Sequence, residues 1–145
     1  MYENILIATD GSKISNKAIP HAIELANAFG AKLSAVTVTY PYDAGVAAEV
    51  EPIDIANYNE QSEEIAAEII LSFVTCAAEE AGIKCDAFHQ QNRWPYEGII
   101  KAAEKVGADL IVVGSHGRRG IGGLLIGSQT TKLLTHTKIP ALVVR

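Results

Sequence analysis

Apolar residues in this chain fall into two kinds of run: short continuous blocks, and longer stretches where they recur every three or four positions. The first block, Asn4-Ile5-Leu6-Ile7-Ala8-Thr9, is unbroken and predicts a strand buried on both faces. Thr9-Asp10-Gly11-Ser12 then gives a turn with helix-capping residues. Ala18, Ile19, Ala22, Ile23, Leu25, Ala26 and Phe29 follow at helical spacing, and Gly30 closes the helix. Pro20 is awkward inside a helix, so the N-cap is placed at Ser15, which brings the proline close to the first turn. Leu33 to Tyr40, rich in Val and Thr, is the second strand.

Pro41 to Tyr58 has no sustained period and reads as a long connection, with a pocket lid as one guess at its role. Glu60 to Ala81 carries Ile65, Ala66, Ile69, Ile70, Phe73, Val74 and Ala77 at helical intervals, and Gly82 stops it. Ile83 to Gln90 alternates weakly and predicts an edge strand with one wetter face. His89 falls on that strand, with no companion at ligand spacing to make it a metal site. Asn92-Arg93-Trp94-Pro95 is a turn, with Pro95 at the first position of a helix running to about Val106. Trp94 is read as a packing lid, base stacking being the alternative. Asp109 to Val113 is another buried strand, Gln129 to His136 a short helix, and Ile139 to Val144 the last strand. Pro140 confines that strand to the sheet edge or puts the proline at its start. Five strands alternating with four helices predict an open, doubly wound α/β sheet in one domain spanning residues 1–145.

Composition sharpens this little. The chain has 145 residues, 48% of them hydrophobic and 20% charged, as in an ordinary globular domain. Its net charge of −5 argues against a broad basic face for nucleic acid. No run reaches membrane-spanning length and no signal peptide opens the chain, so the expectation is a cytoplasmic protein. Cys76 and Cys85 make neither a disulfide framework nor a metal site.

The chemistry concentrates in Gly114 to Ser128, GSHGRRGIGGLLIGS, between the fourth strand and a helix. Glycines permit positive φ and close approach of a ligand to backbone N–H groups. Ser128 is the expected N-cap, and a helix start offers unpaired donors and partial positive charge to an anion. The alternative is a flexible loop whose glycines serve turns only. Gly122-x-x-x-x-Gly127 has P-loop spacing, but Ser128 stands where that motif needs lysine, and no G-x-G-x-x-G can be read. Asp10, at the end of the first strand, lies where parallel sheets bind ligands, either to reach a ribose or magnesium or merely to stabilise its own turn.

Gly114-x-x-Gly117, nine residues, then Gly127-Ser128 resembles the nucleotide-binding signature of the universal stress protein family, in its ATP-binding branch. The resemblance extends from Ile5 through Ser12 to Pro140 through Val144 and implies strand order 3-2-1-4-5. It implies ATP or another adenine nucleotide, with magnesium. Ala8, Thr9 and Asp10 would line ribose and adenine, and Val38 would meet adenine through its backbone. Gly114, His116 and Gly117 would hold ribose and phosphates. Gly127, Ser128, Gln129 and Thr130 would bind phosphates through N–H groups and hydroxyls, with Arg118 and Arg119 adding charge. No catalytic residue and no protein-only metal site are implied, although Asp10 would serve a nucleotide-bound magnesium. The family also implies a homodimer through Ile139 to Val144. Two departures stand out: His116 where arginine is common, and Asn92-Arg93-Trp94-Pro95 in place of a leaner Gly-Asp/Asn-Pro turn. The function so implied is a stress-linked, nucleotide-dependent switch with a protein partner still to be identified. The alternatives are an interaction dimer without nucleotide, or a slow ATPase or nucleotidyl transferase. Asp10 and His116 are the only bases beside the loop to serve such an enzyme.

Overall fold

The computed structural model describes residues 1–41, 53–117 and 126–145, with the backbone alone for residues 53–59. Its elements, in order, are β1 (Asn4–Ala8), α1 (Lys13–Asn16), α2 (Ala18–Phe29), β2 (Lys32–Thr39) and α3 (Ile53–Glu80). They continue as β3 (Cys85–Gln91), α4 (Pro95–Val106), β4 (Leu110–Gly114), α5 (Ser128–His136) and β5 (Ala141–Val144). The strands form one five-stranded sheet in the order β3-β2-β1-β4-β5, and every pairing is parallel. β3 and β5 are the edges, as their alternation and Pro140 predict.

Period-two alternation splits β1 between two cores. Ile5 and Ile7 join Ala18, Ile19, Ala22 and Ala26 of α2 and Leu71, Val74 and Ala78 of α3 on one face. Leu6 and Ala8 join Ala102 and Ala103 of α4 and Leu133 of α5 on the other. At the foot of the sheet, the Asp109 carboxylate accepts the Glu3 and Asn4 N–H groups at 2.8 and 3.1 Å, tying β1 to the start of β4.

Three expectations change. Ser15 is not the N-cap: Ser12 caps α1, accepting the Ser15 N–H at 3.2 Å. The helical segment then breaks at Lys17 before α2 resumes at Ala18. Pro20 lies in the first turn of α2 and has no N–H to offer the Asn16 carbonyl one turn back, so the interruption falls where the ladder loses a rung. Finally, α3 begins at Ile53, taking the end of the expected connection into the helix; residues 42–52 lie outside the described part.

Cys76 is exposed on α3, and Cys85 is half-buried at the start of β3; both are free. Burial, with the Asp86 carboxylate beside it, pushes the Cys85 thiol up to about 11. At pH 8 only about 0.1% of it is thiolate, the reactive form. A colorimetric disulfide reagent is therefore expected to titrate Cys76 rapidly in the native protein and Cys85 only on unfolding. Equal native rates would contradict this assignment.

Candidate functional site

β1 ends at Ala8, and the chain turns away beside β4, where strand order reverses between β1 and β4. Thr9, buried, donates its N–H to the Val36 carbonyl at 3.1 Å. Gly11, at φ 78°, makes the turn that L-residues resist. Around it the short polar side chains lock together. Asp10 Oδ1 accepts the Ser12 N–H at 3.0 Å and the Ser15 hydroxyl at 2.7 Å. Thr9 Oγ1 accepts the Gly11 N–H at 3.1 Å and donates to Asn16 Oδ1 at 2.9 Å. Asp10 thus does stabilise its own turn through one oxygen. The other, Oδ2, is directed at Gly117, where a Cβ would lie only 2.5 Å away.

From the other side, β4 ends at Gly114. The buried Ser115 donates its N–H to Val144 at 2.7 Å and accepts the Gly127 N–H at 2.7 Å, bringing the two ends of the long loop together. Thr130, also buried, donates its hydroxyl to the Gly114 carbonyl at 3.1 Å and pins α5 over the end of β4. His116 Nδ1 lies 3.0 Å from the Ser115 hydroxyl. Its Nε2 is buried and has no hydrogen-bond partner among the described residues. Arg118, Arg119 and the rest of residues 118–125 lie outside the described part.

The N-cap of α5 is Gly127 rather than Ser128, which becomes the first helical residue. The first intrahelical bond runs from the Thr131 N–H to the Gly127 carbonyl at 2.9 Å. The N–H groups of Ser128, Gln129 and Thr130 precede it, so they have no partner within the helix. This is an anion-favouring end, beside Ser115 and His116. The glycines serve it differently from expectation: Gly114, Gly117 and Gly127 all lack positive φ. They are small because two chain segments meet there. A Cβ on Gly114 would lie 2.7 Å from Ser15 Cα, and one on Gly127 3.2 Å from the Ser115 carbonyl.

Val38 stands on β2 beyond the end of β1, whose last pairing is Ala8 with Val36. Val36 turns its carbonyl to the β1 side and Thr39 turns its own to Asn92, so alternation points the Val38 backbone toward the space β1 leaves open. The Val38 side chain packs instead against Gly98 of α4. Two expected phosphate ligands have other partners. The Gln129 side chain accepts the Tyr96 N–H at 3.3 Å, near the start of α4, and the Thr130 hydroxyl hydrogen goes to Gly114. Both residues keep their backbone N–H groups. Trp94 is not a buried lid: it is 45% exposed, with the Lys132 ammonium 5.2 Å from its ring centroid. His89 stands opposite Thr37 in the β2–β3 register and its ring hydrogen-bonds the Thr39 hydroxyl, a strand role as expected.

Ser12 and Ser15, read from sequence as capping residues only, also hold Asp10, and Ser115, not singled out at all, ties the two ends of the long loop. The signal for the first two was present in the Ser12-x-x-Ser15 spacing of a cap. That Ser15 is buried against Asp10 needed the packing of α1 on β4.

The model of the universal stress protein family matches residues 1–145. A universal stress protein of Methanocaldococcus jannaschii is 33% identical over 152 residues, covering 100% of this chain and 83% of the relative. Among solved structures, a universal stress protein of Lactobacillus plantarum superposes with TM-score 0.84 at 21% identity, covering 99% and 98% of the two chains, a likeness of fold. A universal stress protein solved in complex with cAMP is 28% identical with TM-score 0.69, covering 99% and 97%.

Proposed function

Since the chain belongs to the universal stress protein family, we propose that it binds an adenine nucleotide in the crevice between the ends of β1 and β4, with ATP and magnesium as the working ligand. The observation that carries this reading is the convergence of Asp10 and the open N-terminus of α5 on one place, joined by Gly117 and Gly127. Nucleotide bound to the structural relative crystallised with cAMP supports the ligand class.

The residues present fit such a ligand. Among the described residues His116 Nε2 is a buried polar atom without a partner, and the α5 N–H groups of Ser128, Gln129 and Thr130 have none within the helix. In this reading these groups hold phosphate oxygens, with His116 in the place of the commoner arginine. The Val38 backbone meets the adenine edge. Ala8 and Thr9 floor the pocket, and Asp10 faces the ribose or the nucleotide's magnesium. Bound ATP supplies the anionic phosphates and the metal. The chain's own residues orient it, with Ser12 and Ser15 fixing the Asp10 carboxylate. The role is regulatory: nucleotide occupancy changes what the protein presents to a partner. The β5 edge, with Ala141, Leu142 and Val143 half-buried, is proposed to pair with a second copy.

Calorimetric titration of ligand-free protein with ATP and magnesium tests this, with AMP and cAMP run beside it. Saturable heat is expected, with a rise in melting temperature. Ligand at a hundred times Kd stabilises by about 2.7 kcal/mol, or several degrees for a chain of this size. Chelating magnesium should weaken ATP and leave AMP unchanged. Neither heat nor a melting shift at millimolar nucleotide would sink the proposal.

A further inference from the structure

Helix α3 carries two apolar stripes, and the core uses one. Ala67, Ile70, Leu71, Val74 and Ala78 are buried. Ile65, Ile69 and Phe73, each four residues from the next, form a second stripe on the outward side, 58%, 56% and 55% exposed. Other large exposed apolar residues, such as Trp94 and Leu134, stand singly on other elements. A row of three on one helix face is the kind of surface that marks an interaction site.

Charge selects the occupant. The helix holds seven of the chain's 17 carboxylates and none of its 12 Lys and Arg residues. Helical geometry sets Glu68 and Glu79 along one flank of the stripe and Glu80 beyond its C-terminal end, all exposed. A second copy laid on this face would bring the same carboxylates and no base to neutralise them. A basic segment would bring the complement. We propose that the outer face of α3 docks an amphipathic helical segment of another protein, one with apolar residues at i, i+3, i+4 and i+7 flanked by Lys or Arg. The apolar stripe gives the contact and the carboxylates orient it. This surface is separate from the crevice between β1 and β4.

The test uses the full chain and a fluorescein-labelled Leu/Lys amphipathic peptide of roughly 18 residues, about five helical turns. A Leu/Glu peptide of the same pattern is the control. Anisotropy is expected to show saturable binding of the Leu/Lys peptide that weakens with salt, and none of the Leu/Glu peptide. Ile69→Ser/Phe73→Ser, which leaves the charge untouched, should weaken binding at least about tenfold, as loss of a central apolar anchor does. Glu68→Gln/Glu79→Gln should weaken it severalfold at low salt while keeping the stripe; both variants change exposed side chains, and melting curves check their folding. The proposal is overturned if the serine variant binds as tightly as the parent, or if the Leu/Glu peptide binds equally. A lack of saturation overturns it too. So does sedimentation showing a dimer that the serine variant abolishes, which would make the occupant a second copy.

Discussion

Gly117→Ala is expected to lower adenine-nucleotide affinity by at least about tenfold, the loss of one charge-assisted hydrogen bond, while the protein stays folded. The added Cβ would lie 2.5 Å from Asp10 Oδ2. Asp10 cannot simply swing aside, because its Oδ1 is held by the Ser12 N–H at 3.0 Å and the Ser15 hydroxyl at 2.7 Å. Either that network breaks or the His116–Gly117 backbone retreats from the crevice. The clash is with a side chain, so it disappears when the side chain does. In an Asp10→Ala background, Gly117→Ala should therefore cost little further affinity, and the double-mutant cycle should show coupling. Titration of the four proteins with ATP and magnesium reads this directly. Parent-like affinity for Gly117→Ala, or strict additivity in the cycle, would falsify the arrangement.

The fold was legible because its signals are local and mutually consistent. The unbroken runs at Ile5 to Ala8 and Leu110 to Val113 became the central strands, buried on both faces. Pro95 and Gly107 bracket α4 as a helix start and a left-handed stop. The alternation of β3 placed it at an edge. What sequence could not give depended on contacts between distant segments. Ile65, Ile69 and Phe73 share the helical period of Ile70 and Val74, and periodicity alone does not say which stripe the sheet will cover. The start of α3 was missed because Ile53 to Tyr58 lacks a sustained apolar period.

The site shows the same division. The meeting of Asp10 with the glycine stretch, at the reversal of strand order, was legible beforehand. The reason for the glycines was not: they were read as positive-φ positions or spaces for a ligand. Positive φ is absent at Gly114 and Gly117, where the β1–α1 segment and the end of β4 close on each other. A spacing records that a residue must be small, not which neighbour requires it. Ser15 is the matching case, a helix-capping residue type whose hydroxyl is used on Asp10.

Gly114→Ala is accordingly expected to damage stability more than an alanine at any helix-ending glycine. Its Cβ would lie 2.7 Å from Ser15 Cα and 3.0 Å from both the Ile14 carbonyl oxygen and the Ser15 nitrogen. All three are backbone atoms, so no rotamer change relieves the overlap. α1 must lift from β4, or the end of β4 must shift from its pairing with Val144. Either movement strains the part-buried Ser15–Asp10 and the buried Thr130–Gly114 hydrogen bonds. Overpacking of about 1–3 kcal/mol plus about 1 kcal/mol for a compromised buried bond predicts a loss of roughly 2–4 kcal/mol. In a chain of this length that lowers the melting temperature by about 5–12 °C. Gly107→Ala is the contrast: φ is +63° but nothing lies within 4 Å of the added Cβ, so about 1 kcal/mol of backbone strain is the whole effect. Thermal and urea unfolding of the two variants should rank them in that order. Ser15→Gly should not rescue Gly114→Ala, because the obstructing Cα remains. Rescue, or equal losses at Gly107 and Gly114, would mean that α1 yields easily and that Asp10 is not held rigidly over the crevice.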